Sequence, residues 1–429
     1  MLALAPYVKA QDSTLSFSLT EAQNYAIENF FLSKNAELDI DAAKKKIWET
    51  TAIGLPQVKA TGDFQYYLDD ELPMLGFPNF DETGNFLGIE EANMFERQNM
   101  TYGGNVSQLI FSGEYIVGLQ AAKVYKLLSE ENFEKVKIDV KETIAGTYFT
   151  ILILNENERV IKETLENLRL NLEHSQKTYA VGLIEDTDVD QLELTVKRTE
   201  NDLKSIENQL ETMQRMLKYQ LGVEPNVTVD LKDELVSLLE ENIIDESAYQ
   251  FVLDENIEYK MLTTQENLQQ LNMNREKSLL LPTVAGFYNY SDQANATLFT
   301  PPKHLVGVTA SWSIFESGKR NAKISQARIE LEKAQNMKEQ EAQRLILSAQ
   351  QATFDYQTAL TQYYNEETNF ELSKKVFDKT TQRYGEGFVS SLDLSIVNNQ
   401  YLGAQLSYAL AIQNLLTTKI ALDKAYNKL

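Results

Sequence analysis

Few residues of this sequence could carry out catalysis or bind a metal ion. The chain has no cysteine and two histidines, His174 and His304, which excludes thiolate chemistry and most zinc sites. Neither histidine has a plausible set of partner residues, so both are predicted to be structural or solvent-facing. The sequence also lacks a GxxxxGKS or GxxxxGKT phosphate-binding loop. It therefore predicts a protein that is not an enzyme and has no catalytic residue, metal site or cofactor.

The most distinctive polar residues lie in two short stretches that share one pattern. The first reads YAVGLIEDTDVDQLEL from Tyr179, and the second reads YGEGFVSSLDLSIVNN from Tyr384. In each, a glycine follows three residues after the tyrosine and an aspartate follows nine residues after it. The matching residues, 205 positions apart, are Gly182 with Gly387 and Asp188 with Asp393. Since glycine readily takes positive φ, each glycine is predicted to form a sharp turn between two helices.

Long helices are predicted on both sides of each stretch. Apolar and small residues recur in steps of three and four along these segments, as in the seam of a coiled coil. The predicted helices cover residues of about 20–53, 114–179, 188–221, 250–279, 319–384 and 393–425. At ~1.5 Å per residue, the two longest would each extend about 100 Å.

Two β-hairpins are predicted ahead of the long helices, at about residues 55–111 and 281–315. Leu55-Pro56 and Leu281-Pro282 mark the ends of the preceding helices, because proline disfavours helix at the residue before it. Apolar and polar residues then alternate, as from Val306 to Ile314. Such strands with aromatic ends are typical of transmembrane β-strands, although soluble hairpins would also show the alternation.

The composition limits the partners of the protein. The formal net charge is −23, which argues against nucleic acid as a partner because phosphates would be repelled. No run reaches the roughly 18 apolar residues of a membrane-spanning helix. Residues 1–10 resemble the end of a secretory signal peptide, which predicts export. The acidic segment from about Asp69 to Met100 is predicted to be an external loop.

The predicted elements describe one unit written twice. A half-length helix, a hairpin, a long helix, a turn and a second half-length helix follow each other in both halves. The predicted organisation is a signal-peptide remnant at 1–10, a first repeat at 11–222 with its turn at about 180–187, a linker at 223–249, and a second repeat at 250–429 with its turn at about 385–392.

At this level the sequence resembles the TolC family of outer-membrane efflux channels. The resemblance covers nearly the whole chain beyond residue 10. It depends on the two Leu-Pro dipeptides, on the junctions SQLIFSGEY and SWSIFESGK, and on the two Tyr-x-x-Gly…Asp turns. It implies a mainly α fold with a small β part: long helical hairpins forming a periplasmic α-barrel, and four strands per chain of a 12-stranded trimeric transmembrane β-barrel.

The resemblance also implies roles for residues at the turns. Gly182 and Gly387 would form the periplasmic turns, and the neighbouring Leu183 and Phe388 would contact an adaptor. Tyr384 and Asp188 match a hydrogen bond of the family, and Asp393 matches an acid of the pore constriction.

Two positions depart from the family pattern. Val389 stands where the family carries arginine, and Ile396 stands where it carries a second constricting aspartate. The closed gate is therefore expected to hold fewer polar links, or partly an apolar ring. A simpler role for Asp188 and Asp393 is capping of the helices that follow them.

The implied function is a passive exit duct in the outer membrane, with a long periplasmic extension. Its expected partners are two further copies of the chain, a periplasmic adaptor, an inner-membrane transporter of the RND or ABC type, and outer-membrane lipid, in either tripartite efflux or type I secretion. A soluble periplasmic coiled-coil scaffold is the alternative, but it leaves the duplicated hairpins unexplained.

Overall fold

The structure, a computed structural model, describes residues 14–68, 73–93, 96–244, 249–294 and 302–429. Long helices dominate and the strands form small sheets, so the predicted mainly α fold with a small β part is confirmed. The expected signal-peptide remnant lies outside the described residues. Contacts divide the chain into two compact units. The helical unit contains the residues up to Asp39, Ser129–Leu262 and Met337–Leu429, and the sheet unit contains Ile40–Leu128 and Thr263–Asn336.

Eight α-helices carry most of the described chain. They are α1 (Leu19–Asn29), α2 (Phe31–Ile53), α3 (Gly113–Ala180), α4 (Asp186–Leu221), α5 (Leu235–Asn242), α6 (Ile257–Ser278), α7 (Lys319–Gly385) and α8 (Ser391–Ala425). Both long helices, α3 and α7, begin and end within one residue of the predicted limits. Within the described residues, none of the helices combines the length and the apolar character needed to span a membrane.

The single helix predicted at 20–53 is in fact broken at Phe30. The backbone there is extended, with ψ of 137°. The break lets the Phe30 ring pack edge-on against Tyr219, with the ring centroids 5.7 Å apart. It also brings the Asn29 carbonyl close to Gly222, where an added Cβ would lie 2.6 Å from that oxygen. Tertiary contacts therefore override the local helical pattern.

Among the described residues, eight strands form three sheets. They are β1 (Thr14–Phe17), β2 (Gln57–Tyr66), β3 (Met74–Phe80), β4 (Phe86–Asn93), β5 (Gln98–Phe111), β6 (Thr228–Leu231), β7 (Thr283–Gln293) and β8 (His304–Ser311). The largest sheet is antiparallel and has the order β2-β5-β7-β8, so β2 and β8 have open edges in the single chain. Strand β8 ends before Trp312, whose indole donates instead to the Leu280 carbonyl at 2.9 Å.

Two segments predicted as a loop and a linker contain regular structure. The acidic segment 69–100 contains a hairpin, in which β3 pairs with β4 around a turn held by Asp81. One Asp81 carboxylate oxygen accepts the backbone N–H groups of Thr83 and Asn85. The linker 223–249 contains a short helix, α5, and also β6, which pairs in parallel with β1. Strands of four residues are too short for a period-two pattern to reveal them.

The core of the helical unit is centred on Tyr148, which is fully buried. Its hydroxyl lies 3.0 Å from the Phe17 carbonyl oxygen and 2.9 Å from the Asp233 carboxylate. The same carboxylate accepts the Leu19 backbone N–H at 2.7 Å. This node joins β1 and the start of α1 to the middle of α3.

Candidate functional site at the two helical turns

The turns after α3 and α7 have the same backbone geometry. Gly182 and Gly387 have φ of 77° and 79°, in the left-handed region where an L side chain is strained. In the first turn, the Gly182 N–H donates to the Tyr179 carbonyl and the Leu183 N–H donates to the Thr178 carbonyl. In the second turn, the Gly387 N–H donates to the Tyr384 carbonyl and the Phe388 N–H donates to the Arg383 carbonyl. This is the Schellman pattern, which satisfies the last carbonyls of each helix.

The residue after each glycine is apolar and exposed. Leu183 is 75% exposed and Phe388 is 71% exposed. In a Schellman motif this residue often packs on an apolar side chain five positions earlier, but those positions hold Thr178 and Arg383. Both side chains therefore remain available to a partner.

The hydrogen bond expected between Tyr384 and Asp188 is replaced by two other bonds. The Tyr384 hydroxyl lies 2.5 Å from Ser175 Oγ. Because Ser175 gives its own proton to the Asn171 carbonyl, Tyr384 is the donor. Asp188 instead accepts from Ser391 Oγ at 2.5 Å. The prediction was wrong because the buried Tyr384 hydroxyl contacts α3 rather than α4. Burial also raises the pKa of this hydroxyl.

The two aspartates lie in the first turn of their helices but do not occupy the capping positions. Ser390 is the N-cap of α8, and its Oγ accepts the Asp393 N–H at 3.1 Å and donates to the Asp393 carboxylate at 2.8 Å. The N-cap position of α4 is Glu185, which makes no side-chain cap bond. Contrary to the expectation, neither aspartate is therefore the N-cap residue of its helix, although the first turn of a helix still favours their negative charge.

The remaining predicted residues lie beside these turns. Asp393 is exposed, Val389 is partly buried and Ile396 is 46% exposed. His174 is exposed, whereas His304 Nδ1 lies 2.8 Å from the Tyr288 hydroxyl on the sheet. Within the described ranges, histidine, aspartate and glutamate side chains form no cluster that could hold a metal ion.

An aromatic seam, not recognised in the sequence, holds α7 against α8. Its rings are Tyr363, Phe370 and Phe377 on α7, and Tyr401 and Tyr408 on α8. They alternate between the helices, and the closest pairs are nearly parallel: Phe377 lies 4.9 Å from Tyr401, and Phe370 lies 5.3 Å from Tyr408. The seven-residue spacing along each helix is the signal that could have revealed this seam.

A polar seam joins α8 to α3 and α4. Its bonds are Ser391 to Asp188, the Ser395–Thr195 hydroxyl pair at 2.8 Å, and Gln405 Nε2 to Asn157 Oδ1 at 2.9 Å. Asn398 lies in the same stretch of α8 and is 1% exposed, yet both of its amide atoms lack a partner among the described residues. Helix α8 therefore binds α7 through stacked rings, and it meets the other hairpin through incompletely paired polar groups that lie beside buried apolar side chains such as Leu192, Val196 and Leu394.

Comparisons with known proteins agree with this architecture. The sequence profile of the outer membrane efflux protein family matches residues 26–223 and 253–428, and each matched segment contains one of the two turns. No curated protein sequence matches the chain.

Several solved structures have the same fold. The Campylobacter jejuni CmeC outer membrane channel superposes with a TM-score of 0.73 at 15% identity, covering 96% of this chain and 85% of that one. The outer membrane protein VceC from Vibrio cholerae gives a TM-score of 0.70 at 15% identity, covering 95% of each chain. The open state of the Neisseria gonorrhoeae MtrE outer membrane channel gives a TM-score of 0.69 at 15% identity, covering 95% of this chain and 88% of that one.

Proposed function

Because the chain belongs to the outer membrane efflux protein family, we propose that it forms the passive exit duct of an export machine. Three copies make one channel, a periplasmic adaptor docks on the helical turns, and an inner-membrane transporter of the RND or ABC type supplies the energy. The observation that carries this proposal is the pair of equivalent turns, each presenting an exposed apolar residue directly after its glycine.

The sheet unit supports assembly with further copies. Strands β2 and β8 leave both edges of the four-stranded sheet unpaired, and unpaired backbone groups cannot face lipid. Apolar side chains such as Val58, Val306 and Val308 are also exposed on these strands. Joining the sheets of three copies edge to edge would pair every strand and place this apolar surface against outer-membrane lipid.

The two seams suggest how the channel opens. Separating α7 from α8 would expose stacked aromatic rings to water, which is costly. Separating α8 from α3 and α4 beside the second turn would release hydroxyl and amide groups that water can solvate, and it would also expose buried apolar side chains such as Leu192 and Leu394. We infer that α7 and α8 move together, with the polar seam opening beside the turn that carries Asp393.

The chain is also proposed to be an internal duplication, with repeats at 11–222 and 250–429 joined by 223–249. The separate matches of the family profile to the two halves support this organisation. The repeated hydrogen bonds of the two turns, 205 residues apart, support it at the level of single residues.

Substitution of the exposed apolar residues tests the docking role. Leu183→Asp and Phe388→Asp should each abolish export of a dye or drug in cells that contain the cognate pump, while the trimer persists on unheated detergent gels. Leu183→Met and Phe388→Leu keep an apolar surface and should retain export. Full export by both aspartate variants would rule out this contact.

The alternative of a soluble scaffold makes a different prediction about assembly. The family match does not favour it. A channel protein should be extracted from outer-membrane fractions as a detergent-requiring trimer. A monodisperse monomer in detergent-free buffer, measured by light scattering, would instead support the scaffold.

A further inference from the structure

A cavity in the helical unit lies between α3, α4 and α8, away from the turns. Its volume is about 440 Å³, within the range of small-molecule sites. Four apolar side chains, Ile161, Ile206, Leu402 and Leu406, line it together with polar residues from all three helices. The cavity therefore combines an apolar wall with a limited set of polar groups, which is the usual make-up of a ligand site.

One of these polar groups is a buried amide with an unused acceptor. Gln405 is 5% exposed, and its Nε2 donates to Asn157 Oδ1 at 2.9 Å. Its Oε1 is buried and receives no hydrogen bond from the described residues. Buried acceptors are normally paired, because leaving one without a donor is costly. The Gln405 side chain would have to turn this oxygen toward the cavity for a ligand N–H to supply the missing donor.

The charge of the lining favours a cation. Asp202 lines the cavity and forms no ion pair or hydrogen bond in the part of the chain that the structure describes. Neither lysine nor arginine is present in the lining. A positively charged group would therefore meet one unneutralised carboxylate and no repelling side chain.

A glycine keeps the α8 wall of the cavity open. Gly403 lies inside α8, where glycine is less favourable than alanine. A Cβ added there would meet no atom within 4 Å, so packing inside the chain does not require glycine. A larger side chain at this position would extend into the cavity.

We propose that this cavity binds a small amphipathic organic cation that carries an N–H donor. The ammonium group pairs with Asp202 and donates to Gln405 Oε1, and the apolar body of the ligand contacts Ile161, Ile206 and Leu402. This site is separate from the adaptor contact at the turns and does not depend on it.

Ligand-observed NMR on the intact trimer in lipid nanodiscs tests the site, with benzylammonium as the probe and benzyl alcohol as its neutral match. Benzylammonium should show saturable saturation-transfer signals and bind more tightly than benzyl alcohol. Asp202→Asn should weaken benzylammonium binding by about threefold or more, as for an exposed ion pair. Asp190→Asn, an exposed acid on the same helix outside the cavity, should leave binding unchanged.

Gly403→Leu fills the cavity and should abolish binding of both probes. Trimer migration on unheated gels shows whether the Gly403→Leu variant assembles. If it does not assemble, the surface substitution Asp202→Asn still tests the proposal. Absence of saturable benzylammonium binding to the wild-type trimer would overturn the proposal. Equal affinity of the wild type and Asp202→Asn for benzylammonium would also overturn it.

Discussion

Tyr179 and Tyr384 occupy equivalent places in the two turns but have different surroundings. Tyr384 is buried and donates to Ser175, whereas Tyr179 is 48% exposed and its hydroxyl bonds to no described residue. We therefore expect Tyr384→Phe to destabilise its turn by about 1 kcal/mol, the usual net contribution of one hydrogen bond. Tyr179→Phe is the matched control and should have almost no effect.

Hydrogen–deuterium exchange of the turn amides measures this difference. The amides after Tyr384 should exchange faster in Tyr384→Phe, and those after Tyr179 should be unchanged in Tyr179→Phe. Equal protection in the wild type and Tyr384→Phe would mean that the bond to Ser175 contributes nothing to the turn.

Asp393 offers a test of the pore at the level of one charge. If three copies place Asp393 around the pore, the ring of carboxylates should bind multivalent cations and favour cation flow. Asparagine retains an oxygen that can accept from Ser390 Oγ, so Asp393→Asn removes the charge and keeps that hydrogen bond. We expect weaker block by a trivalent cation and lower cation selectivity in planar bilayers.

Asp186→Asn, in the first turn of α4, is the control and should change block and selectivity less. Unchanged block and selectivity in Asp393→Asn would mean that this residue only supports the start of α8, and that the constriction lies elsewhere.

The partners of these residues could not be derived from the sequence, although their positions could. The spacing of tyrosine, glycine and aspartate predicted both turns. It could not predict that Ser391 bonds to Asp188, or that Ser175 bonds to Tyr384. Those contacts depend on the relative rotation of helices far apart in the sequence.

At the level of elements, the second turn contains two glycines with different structural requirements. Gly387 has φ of 79°, whereas Gly385 lies at the end of α7 and is not among the residues with positive φ. Gly387→Ala should cost about 1–2 kcal/mol because alanine is strained in the left-handed region. Gly385→Ala should be neutral or stabilise the helix by up to about 1 kcal/mol.

Hydrogen exchange at the end of α7 distinguishes the two substitutions. Protection should fall in Gly387→Ala and should stay equal or rise in Gly385→Ala. Similar losses in both variants would show that the turn does not depend on the left-handed residue.

Elements with a strong period were predictable, and elements set by tertiary contact were not. The long helices follow their heptad pattern closely. The break at Phe30 depends on Tyr219 and Gly222, which lie far away in the sequence. The β3–β4 hairpin is hard to predict because its segment as a whole is rich in acidic residues, although β3 itself contains none.

At the level of the whole molecule, the proposed opening depends on the difference between the two seams of α8. The aromatic seam keeps α7 and α8 together. The polar seam holds them to α3 and α4 through bonds that water can replace, next to the smaller apolar cluster around Leu192 and Leu394. A channel assembled from three such chains would therefore open by separation of whole hairpins, while each hairpin stays intact.

A disulfide across the polar seam tests this central claim most directly. The chain has no native cysteine, and the side-chain oxygens of Thr195 and Ser395 lie 2.8 Å apart, so cysteines at both positions would be within bonding reach. The measurement is the single-channel conductance of the Thr195→Cys/Ser395→Cys variant in planar bilayers, before and after reduction, with the single-cysteine variants as controls. The oxidised double variant should stay in a low-conductance state, and reduction should restore opening to the level of the controls. Opening of the fully oxidised variant to the conductance of the controls would contradict this claim.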